Sequence, residues 1–437
     1  DCYVIMSITD ASGAPVSTVF RSTVRQDSLA PTWNTFVAFP VQPLDSDVLH
    51  LSLLDRDELT RDDAIGVAHV RVDTLRKHTL RTPKVLEIQR STSVCAPDPS
   101  KPTTLTVSML GHGEGPAPAD TRARDAAFEI EKEFFLIRHG ESKWNEGEKN
   151  MDVFEMLGVD HALNQTGVEQ ALSFNAKWKA FEKGQRAGGN EDGGSSGSVG
   201  SSSSSSDLHA LQRRFLAAER VISSPLTRAL ETALLTCRDH PALDPARGGQ
   251  DLMLFRNLRE KKNGKMSLDT VGKATGPEIE VRVRKELMQT QGGALDAAMV
   301  DVVLTPHIDT NDCDSMWWTS ASHGDSQSSL KMRFNELWGT LKYIKESSAV
   351  LVGHSLFFRE MQRGFLGGAF KRAEPALAKE LHDKKLDNAA CLYVKVRFPG
   401  CAAGKPTAPE IVNARLLFGS RFKDKHEAEE GERLDKK

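Results

Sequence analysis

The most informative part of the sequence is Phe134-Phe135-Leu136-Ile137-Arg138-His139-Gly140-Glu141-Ser142-Lys143-Trp144-Asn145. It opens with four apolar residues in succession, which is typical of a strand buried on both faces of a sheet. An arginine, a histidine and a glycine follow directly. In open α/β sheets, ligands bind outside the carboxyl ends of the strands. The triplet therefore predicts a ligand site at this strand end.

Two more apolar runs end in the same way. The run Arg220-Val221-Ile222 leads into a segment that contains Arg228, and the run Ala349-Val350-Leu351-Val352 leads into Gly353-His354-Ser355. Helical segments lie between these strands, and such alternation indicates an α/β layered sheet. We therefore expect three strand ends at one edge of that sheet.

Capping signals predict where two of the helices begin. The capping box Thr166-Gly167-Val168-Glu169 predicts a helix from there to about Phe181. Ser224 followed by Pro225 predicts a second helix that runs to about Cys237. Arg228 would then lie in the first turn, where the helix dipole favours an anion.

The residues at the three strand ends point to phosphoryl chemistry. Arg138, Arg228, His139 and His354 together suit the clamping of a phosphoryl group through charge-assisted hydrogen bonds. The two guanidinium groups should lower the pKa of His139 below its usual ~6.5 and keep its ring nitrogen nucleophilic. Glu260 is the natural proton donor. Because fixed cations can stabilise the transferred group, no cofactor is expected for catalysis.

In the N-terminal part of the chain, apolar residues recur with a different period. Val48-Leu49-His50-Leu51-Ser52-Leu53 and Leu105-Thr106-Val107-Ser108-Met109 alternate apolar with polar residues, as half-buried antiparallel strands do. This pattern predicts a β-sandwich. In the same region, Asp55, Asp57 and Asp63 lie within nine residues. Such a loop either wraps its carboxylates round one calcium ion or forms a solvated acidic turn.

Length and composition limit the remaining classes. The chain has 437 residues, enough for two or three domains, and 57 Lys+Arg against 60 Asp+Glu give a formal charge of −3. This balance argues against a nucleic-acid partner. The six cysteines are scattered and no apolar run has the length of a membrane span. We expect a reduced, cytoplasmic protein without a zinc site. Because residue 1 is Asp1 rather than methionine, a targeting signal cannot be judged.

Composition also predicts the domain boundaries. We expect a β-sandwich at 1–110, a Gly/Pro-rich linker at 111–127, an α/β domain at 128–422 and a charged tail at 423–437. Residues 184–206 hold seven glycines and nine serines. Such a tract cannot bury enough apolar surface to offset its ordering entropy, which predicts a disordered insertion.

Residues 1 to about 110 resemble a C2 domain. The resemblance depends on three motifs in order: Asp1-Cys2-Tyr3-Val4, Pro31-Thr32-Trp33-Asn34-Thr35-Phe36-Val37-Ala38-Phe39, and Leu54-Asp55-Arg56-Asp57 through Asp63-Ala64-Ile65-Gly66. It implies calcium ligands at Asp1, Asp55, Asp57 and Asp63 and an anionic phospholipid membrane as partner. It also implies that the first strand lies upstream of residue 1. The protein would then be cytoplasmic with a peripheral membrane location.

The segment from about Glu133 to about Ser420 resembles the histidine phosphatase superfamily, whose fold is phosphoglycerate-mutase-like. This resemblance implies a three-layer sandwich of a mostly parallel sheet with flanking helices. It implies that His139 is the phosphorylated nucleophile, that Glu260 is the general acid, and that the phosphoryl oxygens are bound by Arg138, Arg228 and His354. Asn145 and, more weakly, Ser142 would lie in the same pocket.

Two departures from the mutases favour hydrolysis. Where mutases carry Phe-Thr-Gly-Trp-x-Asp after the histidine motif, this chain reads Glu146-Gly147-Glu148-Lys149-Asn150-Met151-Asp152-Val153-Phe154. Where they carry His-Tyr-Gly after the acid, it reads Lys261-Lys262-Asn263-Gly264. The expected function is therefore phosphomonoester hydrolysis. The alternatives are a phosphoglycerate-type mutase and a lipid-binding adaptor whose phosphatase-like domain is inert.

The substrate would be a phosphorylated small molecule or a phosphoprotein. Four cations near the motifs either meet further anionic groups of the substrate or are surface charges: Arg259, Lys261, Lys262 and Arg359. The pair Trp317-Trp318, which lies near Asp325 and Arg333 in the sequence, belongs either to the core or to the pocket.

Overall fold

The computed structural model describes 2–17, 20–22, 44–55, 63–75, 77, 84–87, 89–90, 104–107, 130–188, 203–262, 268–290, 297–314, 316–318, 325–344, 346–398, 401–402, 405–406 and 408–423. The chain divides into two compact units. The first comprises 1–130 with 338–345 and 398–408, and the second comprises 131–337, 346–397 and 409–437.

The first unit is built of short antiparallel strands. They are β1 (Cys2–Thr9), β2 (Phe20–Arg21), β3 (Val48–Asp55), β4 (Asp63–Arg71), β5 (Lys84–Glu87), β6 (Gln89–Arg90) and β7 (Thr104–Val107), with one helical turn α1 (Val72–Leu75). Five strands form a sheet in the order β2-β1-β3-β4-β6, and β5 pairs with β7.

The alternation along β3 produces the core of this unit. Leu51 and Leu53 are buried, and they pack with Val4 of β1, Leu86 of β5 and Leu105 of β7. The larger sheet and the β5–β7 pair therefore share one apolar layer, as the two sheets of a sandwich do. The predicted sandwich is confirmed.

The second unit contains a seven-stranded mixed sheet. Its strands are β8 (Ile130–Arg138), β9 (Arg220–Ser223), β10 (Leu252–Leu254), β11 (Ile308–Asp309), β12 (Ser348–Gly353), β13 (Cys391–Phe398) and β16 (Glu410–Leu417). A separate pair, β14 (Cys401–Ala402) with β15 (Lys405–Pro406), falls in the range of the first unit. The sheet order is β11-β10-β9-β12-β8-β13-β16. The pairs from β11 to β8 are parallel, and β13 is antiparallel to β16.

Helices cover both faces of this sheet. They are α2 (Lys143–Asn150), α3 (Val153–Met156), α4 (Gln165–Gly188), α5 (Ser203–Leu216), α6 (Thr227–Cys237), α7 (Glu278–Gln289), α8 (Ala297–Val303), α9 (Gln327–Tyr343), α10 (Ser355–Phe365), α11 (Gly368–Ala373) and α12 (Pro375–Asp383). Phe135 and Ile137 share a core cluster with residues of α4 and α6. Phe134 and Leu136, whose side chains point to the opposite face, are also fully buried. The predicted α/β fold of three layers is confirmed.

The starts of two helices differ from the prediction. Helix α4 begins at Gln165, and the carboxamide of Asn164, not the hydroxyl of Thr166, accepts the amide of Gly167 at 2.9 Å. Helix α6 begins at Thr227, so the predicted cap Ser224 lies outside the helix. The predicted insertion also has helical ends, because α4 continues to Gly188 and α5 begins at Ser203. Its middle, 189–202, lies outside the described residues, as do the predicted linker 111–127 and the tail beyond residue 423.

Within the described part of the chain, no helix combines the length and the apolar character that crossing a membrane requires.

A buried carboxyl group should make the stability of this fold depend on pH. Burial raises the pKa of Glu231 on α6 to about 8 from its ordinary 4.5. Between these values the folded protein holds a proton that the unfolded chain releases. The free energy of unfolding should therefore fall as pH rises, by up to about 1.4 kcal/mol per pH unit.

Glu231→Gln should remove this contribution, because a neutral carboxamide can still accept the amide of Leu163, which donates to Glu231 at 2.7 Å. Urea unfolding of both proteins from pH 4.5 to about 8 measures the difference. Glu169→Gln, on the exposed face of α4, is the matched control and should keep the wild-type slope. Identical slopes for wild type and Glu231→Gln would contradict the prediction.

Candidate active site

Three neighbouring parallel strands end at the site. The backbone amide of His139, directly after β8, donates to the carbonyl of Gly353 at 3.0 Å, and the amide of Ser224, after β9, donates to that of Val352 at 2.9 Å. These bonds bring the residues that follow the three strands together. The ring centroids of His139 and His354 are 5.1 Å apart.

The imidazole of His139 is oriented by its neighbour. Its Nδ1 lies 2.6 Å from the carbonyl oxygen of Gly140. A carbonyl only accepts, so Nδ1 carries the proton and Nε2 keeps its lone pair. Burial, with the charges of Arg228 and Arg138, holds the pKa of His139 well below its usual range. The predicted neutral imidazole is therefore the form that this environment favours.

Each of the two arginines is held by the backbone of another segment. Arg138 donates from Nη1 to the carbonyl of Leu386 at 2.7 Å. Arg228 donates from Nη1 to the carbonyl of Asp269 at 2.9 Å and from Nη2 to its carboxylate at 3.2 Å. Both side chains are almost fully buried, and Nε of Arg138 has no hydrogen-bond partner among the described residues. Two positioned guanidinium groups suit the binding of a dianionic phosphoryl group.

Helix α6, which carries Arg228, takes its cap from another part of the chain. Its N-cap residue is Leu226, which has no side-chain acceptor. The carboxylate of Asp160 accepts instead from the amide of Thr227 at 2.8 Å and from its hydroxyl at 2.9 Å. Arg282 lies 3.1 Å from the same carboxylate. Asp160 is thus a positioning residue that fixes the turn from which Arg228 extends.

The second histidine lies at the start of α10. His354 is the N-cap residue, and its Nε2 lies 2.8 Å from the hydroxyl of Ser224. Among the described residues its Nδ1 has no hydrogen-bond partner. Burial, and then the charge of Arg228, holds the pKa of His354 well below its usual range. This neutral ring can donate one hydrogen bond to a bound anion.

The carboxyl group of Glu260 is buried at the N-terminus of the same helix. It accepts the amides of Lys261 at 2.8 Å, Phe357 at 2.9 Å and Leu356 at 3.3 Å. These bonds favour the carboxylate, but burial is the larger effect, and the pKa of Glu260 is raised above its ordinary value. A carboxyl group with a raised pKa can hold a proton and donate it.

A buried ion pair supports the segment that presents Glu260. Arg333 lies 2.7 Å from Asp325 and donates to the carbonyls of Asn257 and Arg259. Asp325 also accepts the amide of Lys262 at 2.9 Å. The segment is therefore held on both sides of Glu260.

Other sequence candidates have clear places. The hydroxyl of Ser142 caps α2 by accepting the amide of Asn145 at 3.3 Å, and Oδ1 of Asn145 closes the capping box by accepting the backbone amide of Ser142 at 3.2 Å. Arg259 and Lys262 are buried, so neither is a surface charge, which was one of the two alternatives for these residues. Lys261 forms an ion pair with Glu360 at 3.3 Å. Trp317 donates to the carbonyl of Ala274 at 2.9 Å and packs in the hydrophobic core. Of the two alternatives, core or pocket, Trp317 therefore belongs to the core.

Several residues of the site could not be predicted from the sequence, because no local motif marks them. Asp160 and Asp269 are isolated aspartates in the sequence, and only the tertiary structure brings them to Thr227 and Arg228. Asn388 donates from Nδ2 to the carbonyl of His139 at 3.1 Å across 249 residues of sequence. No local pattern predicts contacts of this range.

The calcium candidates lie in the first unit. Asp55 ends β3 and Asp63 begins β4, and the two are directly paired across the strands. Asp1 and Asp57 lie outside the described residues. Within the described residues, no group of three or more metal-ligating side chains is found.

Comparison with known proteins finds a family model that matches the N-terminal part of the chain. Residues 1–85 match the family model of the C2 domain, which confirms the resemblance predicted for this part. Intersectin-1 of Xenopus laevis is 36% identical over 52 residues, which are 12% of this chain and 3% of that protein. The chain thus spans a small fraction of this relative's length.

Similar solved structures are found for the larger part of the chain. Mycobacterial hydrolase 1 is 14% identical with a TM-score of 0.31, and the match covers 67% of this chain and 100% of that one. An Escherichia coli protein described as an alpha-ribazole-5'-P phosphatase is 16% identical with a TM-score of 0.30, and the match covers 65% and 96%.

Proposed function

We propose that the second unit hydrolyses phosphomonoesters through a phosphohistidine at His139, without a metal. One observation carries the proposal. Nδ1 of His139 is hydrogen-bonded to the carbonyl of Gly140, so Nε2 keeps its lone pair, and the charges of Arg228 and Arg138 help to lower the pKa of this ring. A neutral nucleophile between two fixed cations can approach the phosphorus of a dianionic ester.

The proposed reaction has two steps. Nε2 of His139 bonds to phosphorus while the ester oxygen leaves with the proton of Glu260. Water then attacks the phosphohistidine, Glu260 takes back a proton, and inorganic phosphate leaves. The two arginines and His354 stabilise the charge that spreads over the phosphoryl oxygens in both transition states. The mutase alternative would instead return the phosphoryl group to a second hydroxyl, and an inert domain would stop at binding.

His139→Ala should abolish the hydrolysis of phenyl phosphate in chelator, with a loss of about a thousandfold or more. The wild type should form a phosphohistidine that mass spectrometry detects after an alkaline quench. His307→Ala is the matched control, since this exposed histidine pairs only with Asp251 at 3.1 Å among the ion pairs of the described residues. Equal rates for wild type and His139→Ala would exclude the proposal. Binding of phosphate without turnover would favour the adaptor.

Glu260→Gln should affect substrates according to their leaving groups. A poor leaving group such as an alkoxide needs the proton in the transition state, whereas an activated phenolate leaves without it. We expect roughly a hundredfold loss on alkyl phosphates and a much smaller loss on 4-nitrophenyl phosphate. The ratio of the two kcat/KM values measures this. An equal loss on both substrates would argue against proton donation by Glu260.

We further propose that the first unit docks to anionic phospholipid when calcium binds Asp55 and Asp63 together with Asp1 and Asp57. The direct pairing of Asp55 with Asp63 at adjacent strand ends supports this proposal. Calcium would neutralise the carboxylates and bridge them to lipid phosphates. Such docking would place the protein at the cytoplasmic face of a membrane.

Calcium should make the chain sediment with phosphatidylserine vesicles, and chelator should release it. Asp55→Asn combined with Asp63→Asn should abolish this dependence, because it removes two anionic ligands. Asp73→Asn, which removes an exposed carboxylate paired with Arg71, is the matched control. Binding that ignores calcium and survives the double substitution would contradict the proposal.

A further inference from the structure

The carbonyl that orients the ring of His139 belongs to the peptide group between Gly140 and Glu141. At one end of this group, the carbonyl of Gly140 accepts from Nδ1 of His139 at 2.6 Å. At the other end, the amide of Glu141 donates to Oε1 of Gln170 on α4 at 2.9 Å. A trans peptide group is planar, and its N–H and C=O point in opposite directions. The contact with Gln170 therefore fixes the direction in which the carbonyl of Gly140 points.

The peptide groups before and after this one are held by hydrogen bonds of their own. The amide of Gly140 donates to the hydroxyl of Thr232 on α6 at 3.0 Å. The carbonyl of Glu141 accepts the amide of Asn164 at 3.1 Å. The backbone is thus fixed on both sides, and the bond to Gln170 fixes the peptide group between them.

Helix α4 presents Gln170 from a packed position. Val168 and Ala171 of this helix lie in the core cluster that also contains two residues of β8. The first turn of the helix touches the segment after β8, because a Cβ at Gly167 would overlap the carbonyl oxygen of Glu141. The carboxamide of Gln170 therefore reaches Glu141 from a helix that is fixed against the same strand that carries the nucleophile.

A reversal of this peptide group would change the protonation of the ring. Gly140 has no Cβ, so its backbone angles meet fewer steric limits than those of other residues. If the group turned over, the amide of Glu141 would face Nδ1 of His139 in place of the carbonyl. An amide only donates, so Nδ1 would have to accept, and the ring proton would be on Nε2. The nitrogen that attacks phosphorus in the proposed reaction would then lack its lone pair.

We propose that Gln170 is a positioning residue that keeps the ring proton of His139 on Nδ1, through the peptide group between Gly140 and Glu141. This inference rests on the proposed phosphatase function, because it concerns the nucleophile of that reaction. Gln170 acts by holding the acceptor of the ring proton and not on the ring itself. The hydrogen bonds at the two ends of the peptide group also strengthen each other, because each one polarises the group.

Gln170→Met removes the acceptor and keeps the length of the side chain. It should lower kcat for phenyl phosphate by about tenfold to a hundredfold, because most molecules would then carry the ring proton on Nε2. KM should change by no more than about twofold, since Arg138 and Arg228 still bind the dianion. Gln170→Glu, which again offers an acceptor oxygen at the same length, should recover most of the rate.

The tautomer is measured directly by ¹⁵N NMR of protein labelled at its histidine rings. In the wild type above neutral pH, the resonances of His139 should show a protonated Nδ1 and an unprotonated Nε2. Their absence from the spectrum of His139→Ala assigns them. Gln170→Met should move the two shifts towards each other or exchange them. Unchanged ring shifts in this variant would overturn the proposal, even if the rate falls, because the role of Gln170 would then be only structural.

Gln165→Met is the matched control, because it removes the same side chain from the same helix at a position where the carboxamide donates to Glu169 at 2.7 Å. It should leave kcat, KM and the ring shifts of His139 at their wild-type values. Gln170→Ala also lacks the acceptor and favours the helix. It should repeat the result of Gln170→Met, which separates the loss of the hydrogen bond from a defect in folding.

The proposed function is tested separately, by the wild type and His139→Ala on phenyl phosphate. If the wild type hydrolyses no phosphate ester, the proposed function fails, and the ring shifts of His139 still decide whether Gln170 controls the tautomer. A wild type that is active and keeps both its kcat and its ring shifts in Gln170→Met would leave the function intact and exclude the role of Gln170.

Discussion

The hydrogen bond from the amide of His139 to the carbonyl of Gly353 is the contact on which the site depends. It extends the parallel pairing of β8 and β12 one residue past the end of β8, where Gly353 is opposite Arg138. Because parallel strands end at the same edge, this single register places His139 beside His354 and brings Arg138 to the same edge as Arg228. A shift by one residue would turn these side chains to the other face of the sheet.

Burial then decides the chemical state of the groups that the sheet brings together. It is the largest influence on the pKa values of His139, His354 and Glu260, and it favours the neutral form of each. The charges of Arg228 and Arg138 lower the pKa of both histidines further, in the same direction as burial. Glu260 keeps its proton more readily although three backbone amides stabilise its carboxylate. One buried environment thus favours the neutral form of both the imidazole groups and the carboxyl group.

Several positions of the site were predictable because they follow local rules. Arg138, His139, Arg228 and His354 each come directly after an apolar run or in the helix that follows it, and strand ends of this kind meet in α/β sheets. The predicted cap Ser224 was wrong, and the reason is physical. The cap of α6 comes from Asp160, 67 residues earlier in the chain, and a local pattern cannot identify an acceptor at that distance.

The two kinds of unit can be recognised from the sequence alone, since alternation with period two and unbroken apolar runs reflect how many faces of a strand are buried. It also determined which residue types could bind a phosphoryl group. Which of the remaining polar residues lie at the site follows from the three-dimensional fold and not from the sequence. Asp269 and Asn388 reach it through contacts between segments far apart in sequence. Such contacts depend on packing in three dimensions, and no spacing along the chain encodes them.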